Sequence, residues 1–112
     1  MEDKVKSGYL YDFYGELLNE RQRMVYEMSA FEDLSLSEIA DTLSISRQGV
    51  HDMLKRCDHL LEEYEEKLHL VDKFLHIRED VIKINNLTTK KEASAETLAE
   101  ISKLSSLILE EL

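Results

Sequence analysis

Proline is absent from this chain of 112 residues, glycine occurs three times and cysteine once. Without proline there is no obligatory helix breaker, which agrees with the helical periodicity of most of the sequence. With glycine only at Gly8, Gly15 and Gly49, no Gly-rich phosphate loop exists, so nucleotide binding by that route is excluded. A single Cys57 cannot close an internal disulfide, and its place on an apolar stripe marks a small buried hydrophobe and not a reactive thiol. No run approaches the roughly eighteen apolar residues of a membrane span. The opening MEDKVK balances two acids with two lysines and precedes no apolar segment, so the chain reads as soluble and cytoplasmic, with no membrane partner. Positive charge is also scarce: 14 Lys and Arg stand against 24 Asp and Glu, a net charge of −10. At this length the chain holds no separate catalytic domain.

What is present centres on Leu34 to Arg56, LSLSEIADTLSISRQGVHDMLKR. Ser35 stands three residues before Glu38, a capping box that predicts a helix from Leu36. Ala40, with Ile39 and Leu43 at helical spacing, supplies the small residue at a close helix crossing. Ile45, Val50 and Met53 supply the other side of a miniature core. Ser46 caps a second helix, although Gly49 stands where a capping box would place Glu or Gln. Between them Ser44 occupies a turn position often taken by glycine. These features predict a helix-turn-helix.

With Val50, Met53, Leu54 and Cys57 turned inward, the second helix leaves Arg47, Gln48, His51, Asp52 and Lys55 outward. Arg47 and Gln48 lie at its N-terminus, the part of such a motif that meets base edges. Arginine pairs bidentately with guanine and glutamine with adenine. Double-stranded DNA is therefore the first candidate partner, and a hairpin that serves only as a packing unit is the alternative. Charge is uneven along the chain. Residues 21–59 hold five Lys and Arg against seven Asp and Glu, residues 60–112 seven against twelve. The motif is the least acidic part without being basic, so weak non-specific DNA affinity is expected and a protein or RNA partner stays open.

The remaining pattern is helical as well. Tyr9, Leu10, Phe13, Tyr14, Leu17 and Leu18 read as one amphipathic helix whose Tyr/Phe stripe is core. Asn19 with Gln22 caps another, bearing Met24, Val25, Met28 and Phe31 and ending at Glu32-Asp33. The second motif helix is expected to run on through Leu61, Tyr64 and Leu68. Leu70, Phe74, Ile77, Val81 and Ile84 then follow steps of four and three, a seam able to meet another helix. Asn85-Asn86 and Thr88-Thr89 break that pattern, and residues 85–94 read as a linker. A last helix aligns Leu98, Ile101, Leu104, Ile108 and Leu112, and Ile101, Leu104 and Ile108 form a stripe with no obvious partner in so short a chain. The expectation is an all-α chain: residues 1–69 a helix-turn-helix domain, residues 70–112 C-terminal helices that either fold back on the N-terminal helices or, the favoured reading, pair with a second copy.

Spacing argues against metal or catalytic chemistry. His69, Asp72 and His76 share a helical face, as do Glu62, Glu66 and His69, and Glu66 to His69 spells Glu-x-x-His. A di-iron bundle needs that motif on two helices, and there is no second copy. No nucleophile is paired with a base at recognisable spacing. No enzyme, cofactor or metal is expected.

Phe13-Tyr14 to Leu18, LNERQ (Leu18 to Gln22), SLSEIA (Ser35 to Ala40), SRQGVHDMLKR (Ser46 to Arg56) and LEEYEEKLHL (Leu61 to Leu70) together resemble the YlxM-type family of small bacterial helix-turn-helix proteins. The likeness covers about residues 9–76, and that family in turn resembles the fourth region of RNA polymerase sigma factors. The resemblance implies a sigma region 4-like bundle with a C-terminal helical extension, and it puts Ser46, Arg47 and Gln48 at the start of the recognition helix. Where this chain has Gly49 the family usually has alanine. The family's genes lie beside that of the signal recognition particle GTPase. That position implies a role in the same pathway, with a particle component as partner. The site expected on these grounds comprises Ser46, Arg47, Gln48, His51, Lys55 and Arg56. Two functions follow: a dimeric DNA-binding regulatory protein, or an accessory factor that contacts the particle's protein or RNA instead of DNA.

Overall fold

Asn19 caps a helix through its side chain, and that local demand shapes everything before it. In the computed structural model, which describes residues 3–89 and 94–112, Asn19 is extended. Its Oδ1 accepts from Gln22 N at 2.8 Å while Gln22 Oε1 accepts from Asn19 N at 3.0 Å. An extended cap cannot lie inside a helix. The first helix, α1 (Asp3–Tyr14), therefore ends four residues short of the expected Leu18, and Gly15–Leu17 tighten into a single 3-10 turn. Gly15 fits this turn because the Tyr11 ring lies against it, where a Cβ would come within 2.9 Å of Tyr11 Cε2.

Helix α2 (Glu20–Ala30) follows the cap, and α3 (Leu36–Leu43) begins at a second capping box. There Glu38 N donates to Ser35 Oγ at 3.1 Å and Ser35 N to Glu38 Oε1 at 3.0 Å. The amide and hydroxyl of Ser35 hold the Glu38 carboxyl below the usual carboxylate range. Ser44 closes α3 in the left-handed region (φ 56°, ψ 43°), the short polar residue standing where glycine would be unstrained. Helix α4 (Arg47–Leu68) then runs for 22 residues until His69, also left-handed. A length this far beyond a recognition helix's needs gives α4 a second task, since α1, α2 and α3 all pack on it.

Two stretches of α4 serve those contacts. Near its start, Val50 joins Val25, Ile39 and Ala40 in a fully enclosed cluster, with Met53 and Leu54 packed on its edge. Further along, Cys57 and Leu61 are buried, as are Leu10, Tyr14 and Leu18. The Tyr14 hydroxyl donates to the Glu65 carboxylate, and the Tyr14 and Tyr64 rings lie 6.0 Å apart. Tyr26, absent from the expected core, is buried. It stacks on Tyr11 at 5.0 Å with planes 8° apart, and its hydroxyl donates to the Ser7 carbonyl. The early aromatic stripe is thus core only at Tyr14. Phe13 and Leu17 are exposed, Leu17 because the chain has left the helix before reaching it.

The chain divides into compact units at residues 1–69 and 70–112. The second unit is a pair of packed helices, α5 (Leu70–Thr88) and α6 (Ala95–Glu111), the latter capped by Ser94. The break expected at Asn85-Asn86 does not occur. Thr88 Oγ1 and Thr89 Oγ1 each donate at 2.9 Å to the carbonyls of Asn85 and Asn86, satisfying the groups a helix end leaves open. Residues 90–93 of the expected linker lie outside the described residues. Leu104 is 4% exposed, with Ile101 and Ile108 half-buried, so the stripe that seemed to lack a partner faces the pair's own core. Ile77 and Ile84 of the α5 seam are half-buried too, whereas Val81 is exposed. Among the described residues there is no strand, and no helix is long and apolar enough to cross a membrane.

Candidate nucleic-acid interface

The start of α4 is built by a cap. Ser46 Oγ accepts from Gly49 N at 2.9 Å, which fixes where the helix begins and therefore which residues project from its first turn. Ser46 itself acts first as that cap, and its remaining hydroxyl proton is the part available to a ligand. Arg47, Gln48, His51, Lys55 and Arg56 are all exposed. With Leu36 at the start of α3, Arg47, Gln48 and His51 border an open groove of about 490 Å³. No carboxylate lies within ion-pairing distance of Arg47, Lys55 or Arg56 among the described residues, although the chain is strongly acidic.

Asp52 has a role that its exposed position did not suggest. Its carboxylate accepts from Gln48 Nε2 at 2.9 Å and stands 3.6 Å from His51 Nδ1, an ion pair only when the imidazole is protonated. The i,i+4 spacing of Gln48 and Asp52 was the available signal. A glutamine amide carries two N–H groups, so the second hydrogen and the carbonyl oxygen still offer the donor and acceptor that adenine requires.

Behind this face the helix is inert. Val50 and Cys57 have no exposed surface, and burial, with Asp58 adding to it, pushes the Cys57 thiol up to about 11. Among the described residues no three His, Cys, Asp or Glu side chains are grouped to hold a metal ion. His69 serves as the left-handed end of α4, and His76 sits 3.9 Å from Asp72 and 3.7 Å from Glu111.

A capped helix, a left-handed turn and a second capped helix sharing one enclosed cluster define a helix-turn-helix protein. The comparison with known families agrees. Residues 1–101 match the family UPF0122, described as "Putative helix-turn-helix protein, YlxM / p13 like", and the chain belongs to it. That match reaches through α5 into α6, well beyond the 9–76 carried by the motifs. UPF0122 proteins of Bacillus cereus (strain AH187), Bacillus anthracis (strain A0248) and Bacillus thuringiensis subsp. konkukian (strain 97-27) are each 40% identical over 101 residues. The aligned part is 90% of this chain and 92% of theirs.

Proposed function

We propose that this chain is a cytoplasmic, homodimeric regulatory protein that reads double-stranded DNA with the start of α4, and that it acts in the signal recognition particle pathway. The observation that carries this reading is the exposed pair Arg47 and Gln48 at the first turn of a cap-defined helix, Arg47 without a carboxylate partner among the described residues. In the major groove Arg47 donates to guanine and Gln48 addresses adenine. His51, one turn on, borders the same groove, and Lys55 and Arg56 meet backbone phosphates. Dimerisation falls to residues 70–112, where Val81 and Ile82 of α5 and Leu98 and Leu109 of α6 remain exposed, Leu109 by 72%. A second copy covers such surface and sets two reading helices about 34 Å apart, one helical turn of DNA.

One observation favours the second reading. A net charge of −10 opposes approach to phosphates, which suits an accessory factor that contacts a protein or RNA component of the particle. Equilibrium binding over a salt series separates the two. Binding to duplex DNA weakens with a log–log slope of about −0.9 for each phosphate neutralised. Affinity for the particle's RNA or GTPase with none for duplex would replace the first reading by the second.

A further inference from the structure

On the other side of the reading helix lies a second open groove, of about 350 Å³, whose lining includes Asn19, Arg21 and Gln22 from the start of α2 and Asp52 and Arg56 from α4. Its donors outnumber its acceptors. Arg21 and Arg56 are exposed, and neither has a carboxylate within ion-pairing distance among the described residues. The capping box already engages the carbonyl oxygens of both amides: Asn19 Oδ1 accepts from Gln22 N, and Gln22 Oε1 from Asn19 N. Their NH2 groups are what remains for a ligand. Asp52, the one acid in the lining, is bound by Gln48 and faces His51. At the helix end, the Gln22 amide is already capped.

We infer that Arg21 and Arg56, with the amide groups of Asn19 and Gln22, form a clamp for a backbone phosphate of duplex DNA, holding the strand beside the bases read by Arg47 and Gln48. Two guanidinium groups from separate helices suit an oxyanion better than any other ligand chemistry. The groove's position chooses the anion. Arg47, Gln48 and His51 border one groove and Arg21 and Arg56 the other, so a helix seated in a major groove by the first set brings a phosphodiester to the second. A clamp of this kind sets register without reading sequence. The inference rests on α4 being the DNA-facing helix.

The test uses the full chain and a mixed-sequence duplex of about 30 bp, titrated from about 50 to 200 mM salt. The double variant Arg21→Ala with Arg56→Ala should keep the parent's helical signal and bind with a slope shallower by about 0.9, for the one phosphate the clamp neutralises. Over that salt range its affinity should therefore fall about 3.5-fold less than the parent's. The double variant Arg21→Lys with Arg56→Lys keeps both charges and should restore the parent's slope. A folded alanine variant with the parent's slope overturns the clamp alone. So does one that loses preference among sequences at unchanged slope, because that would make these residues base readers. A parent that binds no duplex at any salt overturns both the clamp and the DNA reading.

Discussion

Enlarging Ala40 should push α3 and α4 apart. Ala40 is buried against Val25, Ile39 and Val50, each with no exposed surface, so a larger side chain has no room to enter. The backbone cannot yield easily there, because the Ala40 carbonyl accepts both Ser44 N and Ile45 N and so anchors the motif's turn. Overpacking of this kind costs about 1–3 kcal/mol. In a domain of 60–100 residues each kcal/mol moves the melting temperature by about 4–8 °C, so Ala40→Leu should melt roughly 5–20 °C below the parent. The readout is thermal unfolding followed by far-ultraviolet circular dichroism. Ala40→Val should fall between the two, and Asp41→Leu, on the exposed neighbour, should change stability by no more than about 0.5 kcal/mol. If Ala40→Leu melts with the parent, the helices do not cross at Ala40 and the motif is misplaced.

Removing the cap by Ser46→Ala should cost about 0.5–2 kcal/mol in denaturant unfolding. No loss would mean that the bond to Gly49 N does not set the start of α4. The Cys57 thiol has its folded pKa raised from 9.0 to about 11 by burial, so the unfolded chain ionises first. Its contribution is complete below pH 9 and lost as pH rises toward 11; stability should decline across that window, and Cys57→Ala should flatten the decline. An unchanged slope in the variant would remove Cys57 as its source. Val81→Glu with Leu109→Glu should give a folded monomer by light scattering, because both side chains are exposed in the single chain. A persistent dimer would place the interface elsewhere.

The helix starts were legible because capping is local. Ser35 with Glu38, Asn19 with Gln22, and Ser46 each bond a backbone amide three residues on, and the spacing alone reveals them. Ala40 was legible for a related reason, as the one small residue among larger apolar neighbours at a predicted crossing. What escaped the sequence depends on residues far apart in the chain. The end of α1 is decided by the Asn19 cap and by Tyr11 lying over Gly15, and neither leaves a mark on the hydrophobic period of Tyr9 to Leu18. Tyr26 was overlooked because its partners, Tyr11 and Ser7, are on another helix. Leu104 seemed unpartnered until α5 and α6 were seen to pack together. Of the candidate interface, Arg47, Gln48, His51, Lys55 and Arg56 follow from helical periodicity on α4. Arg21 does not, since only the fold brings the start of α2 to the same groove as Arg56.

The claim that α4 reads DNA is met most directly by selecting binding sites from a randomised duplex library with the parent chain and with Arg47→Ala. The parent should return one preferred sequence with a guanine at a defined position. The variant, folded and at the same salt, should lose that preference and about 1–3 kcal/mol of affinity for the selected site. An unchanged preference in the variant, or no enriched sequence with the parent, would contradict the account.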